Sequence, residues 1–182
     1  MKILCYGDSN TYGFDPRGYF AERYGAEDRW PNILADLSGW SVNNQGMNGR
    51  AIPRLPVRFP ETVDVILVML GTNDLLQGYS AEKVTQRMEQ FLHTLDSVKD
   101  RLVIVAPPQM QWGEWVNTNV LIHESAALGK CYGALCQRYG VRFVDATKWE
   151  IPMCFDGVHF TEEGNHRFAR YLYSALMEVL EL

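Results

Sequence analysis

The chain has no long apolar run, no cluster of lysines or arginines, no paired-cysteine spacing and no internal repeat. Each absence removes a class of function. A bilayer-spanning helix needs roughly 20 consecutive apolar residues, and no stretch of the 182 residues approaches that. The opening Ile3-Leu4-Cys5-Tyr6 is also too short an apolar run for the core of a signal peptide. Lys and Arg number 17 against 22 Asp and Glu, a net charge of −5 with no basic patch. A nucleic-acid partner or an anionic membrane surface is therefore not expected. The four cysteines, Cys5, Cys131, Cys136 and Cys154, lack metal-site spacing such as C-x-x-C. Free thiols in a reducing, cytoplasmic compartment are the expectation, with no metal and no cofactor. Low-complexity segments and linkers are missing too, so residues 1–182 read as one domain, of a size that buries roughly 70% of its unfolded surface.

What is present is alternation. Lys2–Tyr6 reads as a first strand, and Trp30, Ile33, Leu34 and Leu37 then form one helical face. A weak second strand follows at Trp40–Asn44. The run "VDVILVML" at Val63–Leu70 is continuous enough for a strand buried on both faces. Val84, Met88, Phe91, Leu92 and Leu95 recur at helical spacing before a strand at Leu102–Ala106. Leu121, Leu128, Leu135 and Tyr139 mark another helix, Val141–Val144 a fifth strand, and Phe168, Leu172, Ala175, Leu176 and Val179 a last helix. Strand and helix alternating in this way predict a three-layer α/β/α domain around a five-stranded parallel sheet.

Ligands of such sheets gather beyond the carboxyl ends of the strands. There the chain places "GDSN", "NNQGMNGR", "GTND", "PPQMQWGEW" and "FDGVHF". Ser9 lies in the first of these turns. A serine hydroxyl needs a base to take its proton. Of the four histidines, His93 and His166 fall in helical patterns and His123 begins or precedes a helix, whereas His159 sits in a short loop three residues after Asp156. One turn can aim both side chains into a shared cleft, where a carboxylate orients and stabilises the imidazole. The oxyanion of acyl transfer needs donors, and the Ser9 N–H, the Gly46 N–H and the Asn73 side-chain amide are the candidates. Taken singly, each residue also has a plain reading: helix cap, turn glycine or surface ion pair.

Taken together, "GDSN" with Ser9, "NQGMNG" with Gly46, "GTND" with Asn73 and "DGVHF" with Asp156 and His159 resemble the four blocks of the SGNH (GDSL-like) hydrolase superfamily. Order and spacing match across residues 3–160. The segment "DRWPNILADL" and the run "VMLGTND" resemble its arylesterase and acyltransferase branch. Asn10 departs from the pattern, since many members carry leucine there. The resemblance implies a flavodoxin-like sheet, a Ser9–His159–Asp156 triad, an oxyanion hole of Ser9, Gly46 and Asn73, and metal-free hydrolysis of esters or thioesters. No G-x-S-x-G elbow is present.

The segment "PPQMQWGEW" is expected to form a pocket wall or lid. Tyr12, Phe14, Trp112, Trp115 and Val158 are candidates for an apolar acyl or aryl slot; the competing reading puts these aromatics in a homo-oligomer contact or over the core. Small soluble esters, acetylated sugars included, are the expected substrates. Two rival functions stay open at this point. Asp8, Asp74, Asp156 and His159 could ligate a divalent metal in a phosphoesterase, or Ser9, Asn10 and Thr11 could cradle a phosphate in a non-catalytic module.

Overall fold

A computed structural model describes residues 1–18 and 22–182. Its centre is a five-stranded, all-parallel sheet of β1 (Lys2–Gly7), β2 (Ser41–Gly46), β3 (Val65–Met69), β4 (Leu102–Ala106) and β5 (Arg142–Asp145), in the order β2-β1-β3-β4-β5. This is the flavodoxin-like order, with its switch point between β1 and β3.

Period-two alternation divides the sheet residues between two cores. Ile3, Cys5, Val65, Leu67, Met69, Val103 and Val105 face one side and pack on helices α2 (Trp30–Ser38) and α6 (Glu162–Val179). Leu4, Tyr6, Ile66, Val68, Leu102 and Ile104 face the other and pack on α4 (Ala81–His93) and α5 (Asn119–Tyr139). β3 and β4 are buried along their whole length, as continuous apolar runs in a doubly covered sheet must be. β2 and β5 are the edge strands, and the polar sequence SVNNQG of β2 alternates between exposed and half-buried.

The helices begin and end where their sequences allow. Ser80, Thr118 and Thr161 cap α4, α5 and α6 through side-chain oxygens, and Gly39 and Gly140 end α2 and α5 in the left-handed region. One expected core residue is not in the core. Leu37 is 45% exposed; it continues the stripe of Trp30, Ile33 and Leu34 but falls in the last turn beside Gly39, where the neighbouring layer no longer covers it. Among the described residues no helix is long and apolar enough to cross a membrane.

Candidate active site

Two short helices open directly at strand ends: α1 (Ser9–Tyr12) after β1 and α3 (Thr72–Leu76) after β3. Asp8 caps α1 by accepting the Asn10 N–H at 3.0 Å, and Gly13 ends it at φ 89°. Ser9 is therefore the first helical residue, and the first N–H groups of a helix have no acceptor within it.

His159 arrives from the loop between β5 and α6, 150 residues away in sequence, and its Nε2 lies 2.9 Å from Ser9 Oγ. Its Nδ1 lies 2.6 Å from Asp156 Oδ2. The other carboxylate oxygen accepts the N–H groups of Val158 at 2.9 Å and His159 at 3.0 Å. Burial alone would raise the Asp156 pKa, but the hydrogen bonds from the His159 ring and from the His159 and Val158 backbone outweigh it and hold the group below the ordinary carboxylate range. A carboxylate only accepts, so Nδ1 carries the ring hydrogen and the Nε2 lone pair faces the serine hydroxyl. Phe14 and Trp115 flank the imidazole at ring-centroid distances of 4.7 and 5.2 Å.

A cavity of about 360 Å³ opens over this pair. Ser9, His159, Asn73, Asn48 and Gly49 supply its polar wall, and Phe14, Leu76, Trp115 and Val158 its apolar one. The Asn73 side chain donates to the Arg50 carbonyl at 3.1 Å, which fixes the amide and leaves its second N–H unused by that bond. The basic cavity lined by Arg54, Lys83 and Arg87 holds no paired nucleophile and base.

The structure thus brings Ser9, Asp156, His159, Asn73, Phe14, Trp115 and Val158 together and separates three other expected site residues from them. Gly46 closes the β1–β2 ladder opposite Gly7, and its N–H already donates to Asn44 Oδ1 at 2.9 Å. It is a glycine because α1 lies against it: a Cβ there would stand 2.1 Å from the Tyr12 nitrogen. The glycine on the cavity is Gly49, at φ 71°, whose N–H has no protein acceptor among the described residues. The signal was present in sequence, since an asparagine two residues before Gly46 is placed to capture its N–H in an Asx turn. Tyr12 turns away from the cavity, with the Arg23 guanidinium 4.4 Å above its ring. Trp112 is 64% exposed and outside the lining. The segment carrying it contributes Trp115 to the cavity wall and straps the Asp156 turn: Gln111, Glu114 and Trp115 donate backbone N–H bonds to Gly157, Phe155 and Asp156. Asn48, within the quoted "NQGMNG" block, and Leu76, two residues after "GTND", line the cavity although neither is singled out in the sequence.

The rival constellations do not assemble. Asp74 is fully buried, 2.8 Å from Arg87 Nη1 in an oblique ion pair, and accepts the Ile52 N–H at 3.0 Å. Among the described residues no three His, Cys, Asp or Glu side chains are grouped to hold a metal ion. Asn10 spends its side chain on backbone groups of the histidine loop, and Thr11 Oγ1 is buried without a partner, so neither is presented to a phosphate.

The sequence matches the family model of the GDSL-like lipase/acylhydrolase family over residues 5–167. The chain belongs to that family. This GDSL-like hydrolase, a member of the SGNH superfamily, is accordingly an enzyme acting on carboxylic esters. Its fold is similar to that of a carbohydrate acetylesterase family member from Sinorhizobium meliloti, at a TM-score of 0.81 and 26% identity over 100% of this chain and 99% of the other. It is also similar to the aryl esterase of M. smegmatis, at a TM-score of 0.81 and 22% identity over 98% and 99% of the two chains. No curated protein sequence matches the chain.

Asp8 yields a prediction about stability. It is 1% exposed, and burial pushes its pKa from the ordinary 3.8 up to about 6, the Asn10 N–H and the neighbouring imidazole offsetting only part of the shift. The native state thus holds the proton more tightly than the unfolded chain. The resulting stability is fully present below about pH 4 and is lost as pH rises through about 6. Asp8→Asn keeps an oxygen for the cap and removes the titration. Relative to wild type, it should gain up to about 3 kcal/mol between pH 4 and pH 8 in urea unfolding. A difference that does not change with pH would contradict this.

Proposed function

We propose that the chain is a serine esterase for small soluble esters with short acyl groups, working through an acyl-enzyme. The observation that carries the reading is the continuous relay from Asp156 Oδ2 through the His159 ring to Ser9 Oγ at 2.6 and 2.9 Å. In the first half-reaction His159 Nε2 takes the Ser9 proton as Oγ attacks the ester carbonyl. The oxyanion that forms is met by donors on the cavity wall: the Ser9 N–H, the free N–H of Asn73 and the Gly49 N–H. His159 then returns the proton to the leaving alcohol. Water entering by the same route, deprotonated by His159, releases the acid and restores Ser9.

Cavity size and wall support the substrate class. About 360 Å³ is near the lower end for small-molecule sites, and Phe14, Leu76, Trp115 and Val158 offer an apolar wall for a small acyl group. The likeness to a carbohydrate acetylesterase family member agrees with that assignment.

A series of p-nitrophenyl esters from acetate to dodecanoate, run beside an acetylated xylose and a thioester, tests the reading. We expect the highest kcat/KM at acetate to butyrate and a fall of about tenfold or more by octanoate, with no change on adding a chelator. Rates that climb with chain length to dodecanoate would overturn the short-acyl assignment. Absence of turnover on every ester would overturn the function.

A further inference from the structure

Beside the nucleophile, Asn10 is 6% exposed and its side chain is fully used. Nδ2 donates to the Val158 carbonyl at 3.0 Å, and Oδ1 accepts the Phe160 N–H at 2.9 Å. These are the residues immediately before and after His159. The amide therefore pairs with the histidine loop as a strand neighbour would, one bond on each flank of the base. Its own backbone is held in turn, because the Asn10 N–H donates to Asp8 Oδ1.

Backbone bonds from Gln111, Glu114 and Trp115 strap the loop on the β4–α5 side, the Tyr24 hydroxyl donates to the Phe160 carbonyl at 3.1 Å, and further bonds lie within the loop itself. The His159 N–H goes to Asp156, and the His159 carbonyl accepts the Cys154 N–H at 2.7 Å. Those bonds shape the turn and say nothing of where it sits relative to α1. The distance from Ser9 Oγ to His159 Nε2 is set between two segments some 150 residues apart, and the Asn10 amide ties them at the residue next to the serine. A hydrophobic side chain of similar size would fill the space and remove both ties on the flanks of His159.

We infer that Asn10 is a positioning residue, whose amide sets the register of His159 against Ser9. The inference rests on the proposed Ser9–His159 chemistry. Proton transfer is steep in distance, and a misplacement of about 1 Å can cost about 100-fold in rate. Asn10→Leu removes both bonds at nearly constant volume and leaves the Val158 carbonyl and Phe160 N–H buried without partners.

The test compares wild type, Asn10→Leu, Asn10→Asp and Ser9→Ala at a temperature well below each melting point, with folding checked by circular dichroism. For Asn10→Leu we expect kcat on p-nitrophenyl acetate to fall about 10–100-fold with KM within about twofold, and phosphonate labelling of Ser9 to slow in the same proportion. Asn10→Asp accepts from Phe160 but sets a second acceptor against the Val158 carbonyl, so it should lose rate as well. A purely structural asparagine would lower the melting point and leave kcat and the labelling rate of the folded protein unchanged, which would overturn the inference. Should Asn10→Leu fail to fold, the same comparison on Asn10→Asp decides. Turnover retained in Ser9→Ala would instead remove the underlying chemistry.

Discussion

Alanine at Ser9 or at His159 should lower kcat for p-nitrophenyl acetate by about 10⁴–10⁶, and the double variant should lose little more. Both residues serve one proton transfer, across the 2.9 Å contact between Nε2 and Oγ. Removing either closes the covalent route, so removing the second has nothing left to take. Multiplicative losses would mean that the two act in separate steps. The variants should differ in stability. Ser9→Ala deletes one hydroxyl at a partly open wall, whereas His159→Ala leaves Asp156 Oδ2, fully buried, without its partner. His159→Ala should therefore melt below Ser9→Ala, by about 1–3 kcal/mol in unfolding free energy.

Asp156→Asn should cost kcat up to about 10⁴ while leaving the fold in place. The Asp156 oxygen that accepts the Val158 and His159 N–H groups must remain an acceptor. An asparagine placed to satisfy them turns its NH₂ toward Nδ1, which must then accept. The ring hydrogen moves to Nε2 and points at Ser9 Oγ, where a lone pair is required. Geometry survives and chemistry fails. The comparison is kcat at pH 7 with thermal melts alongside; a folded variant within tenfold of wild type would show that the carboxylate does not set the tautomer.

The layering and the sheet were legible because each strand and helix repeats its own period, and because β3 and β4, buried on both faces, are unbroken apolar runs. β2 was the weakest strand in sequence for the converse reason: an edge strand with half its residues at the surface carries polar side chains. Ser9, Asn73, Asp156 and His159 stood out because their blocks follow strands at one sheet edge. Residues that depend on where a loop finally lies did not. Gly46 and Gly49 share one glycine-rich stretch, and apart from the Asn44 placed two residues before Gly46 the choice between them turns on how far the β1–β2 ladder runs. Trp112 and Trp115 belong to one turn, and only the bonds from that turn to 155–157 decide which of them faces the imidazole. Asn10 reads as a neighbour of the nucleophile; its two bonds to residues nearly 150 positions away become visible only in three dimensions.

The central claim is that Ser9 forms a covalent bond to the acyl group. Incubation with a p-nitrophenyl phosphonate, followed by intact-mass and peptide mass spectrometry, tests it directly. The account predicts one adduct per chain, located on Ser9, with esterase activity lost in step with labelling and no adduct in Ser9→Ala. An active enzyme that stays unlabelled, or one labelled elsewhere while its turnover persists, would contradict it.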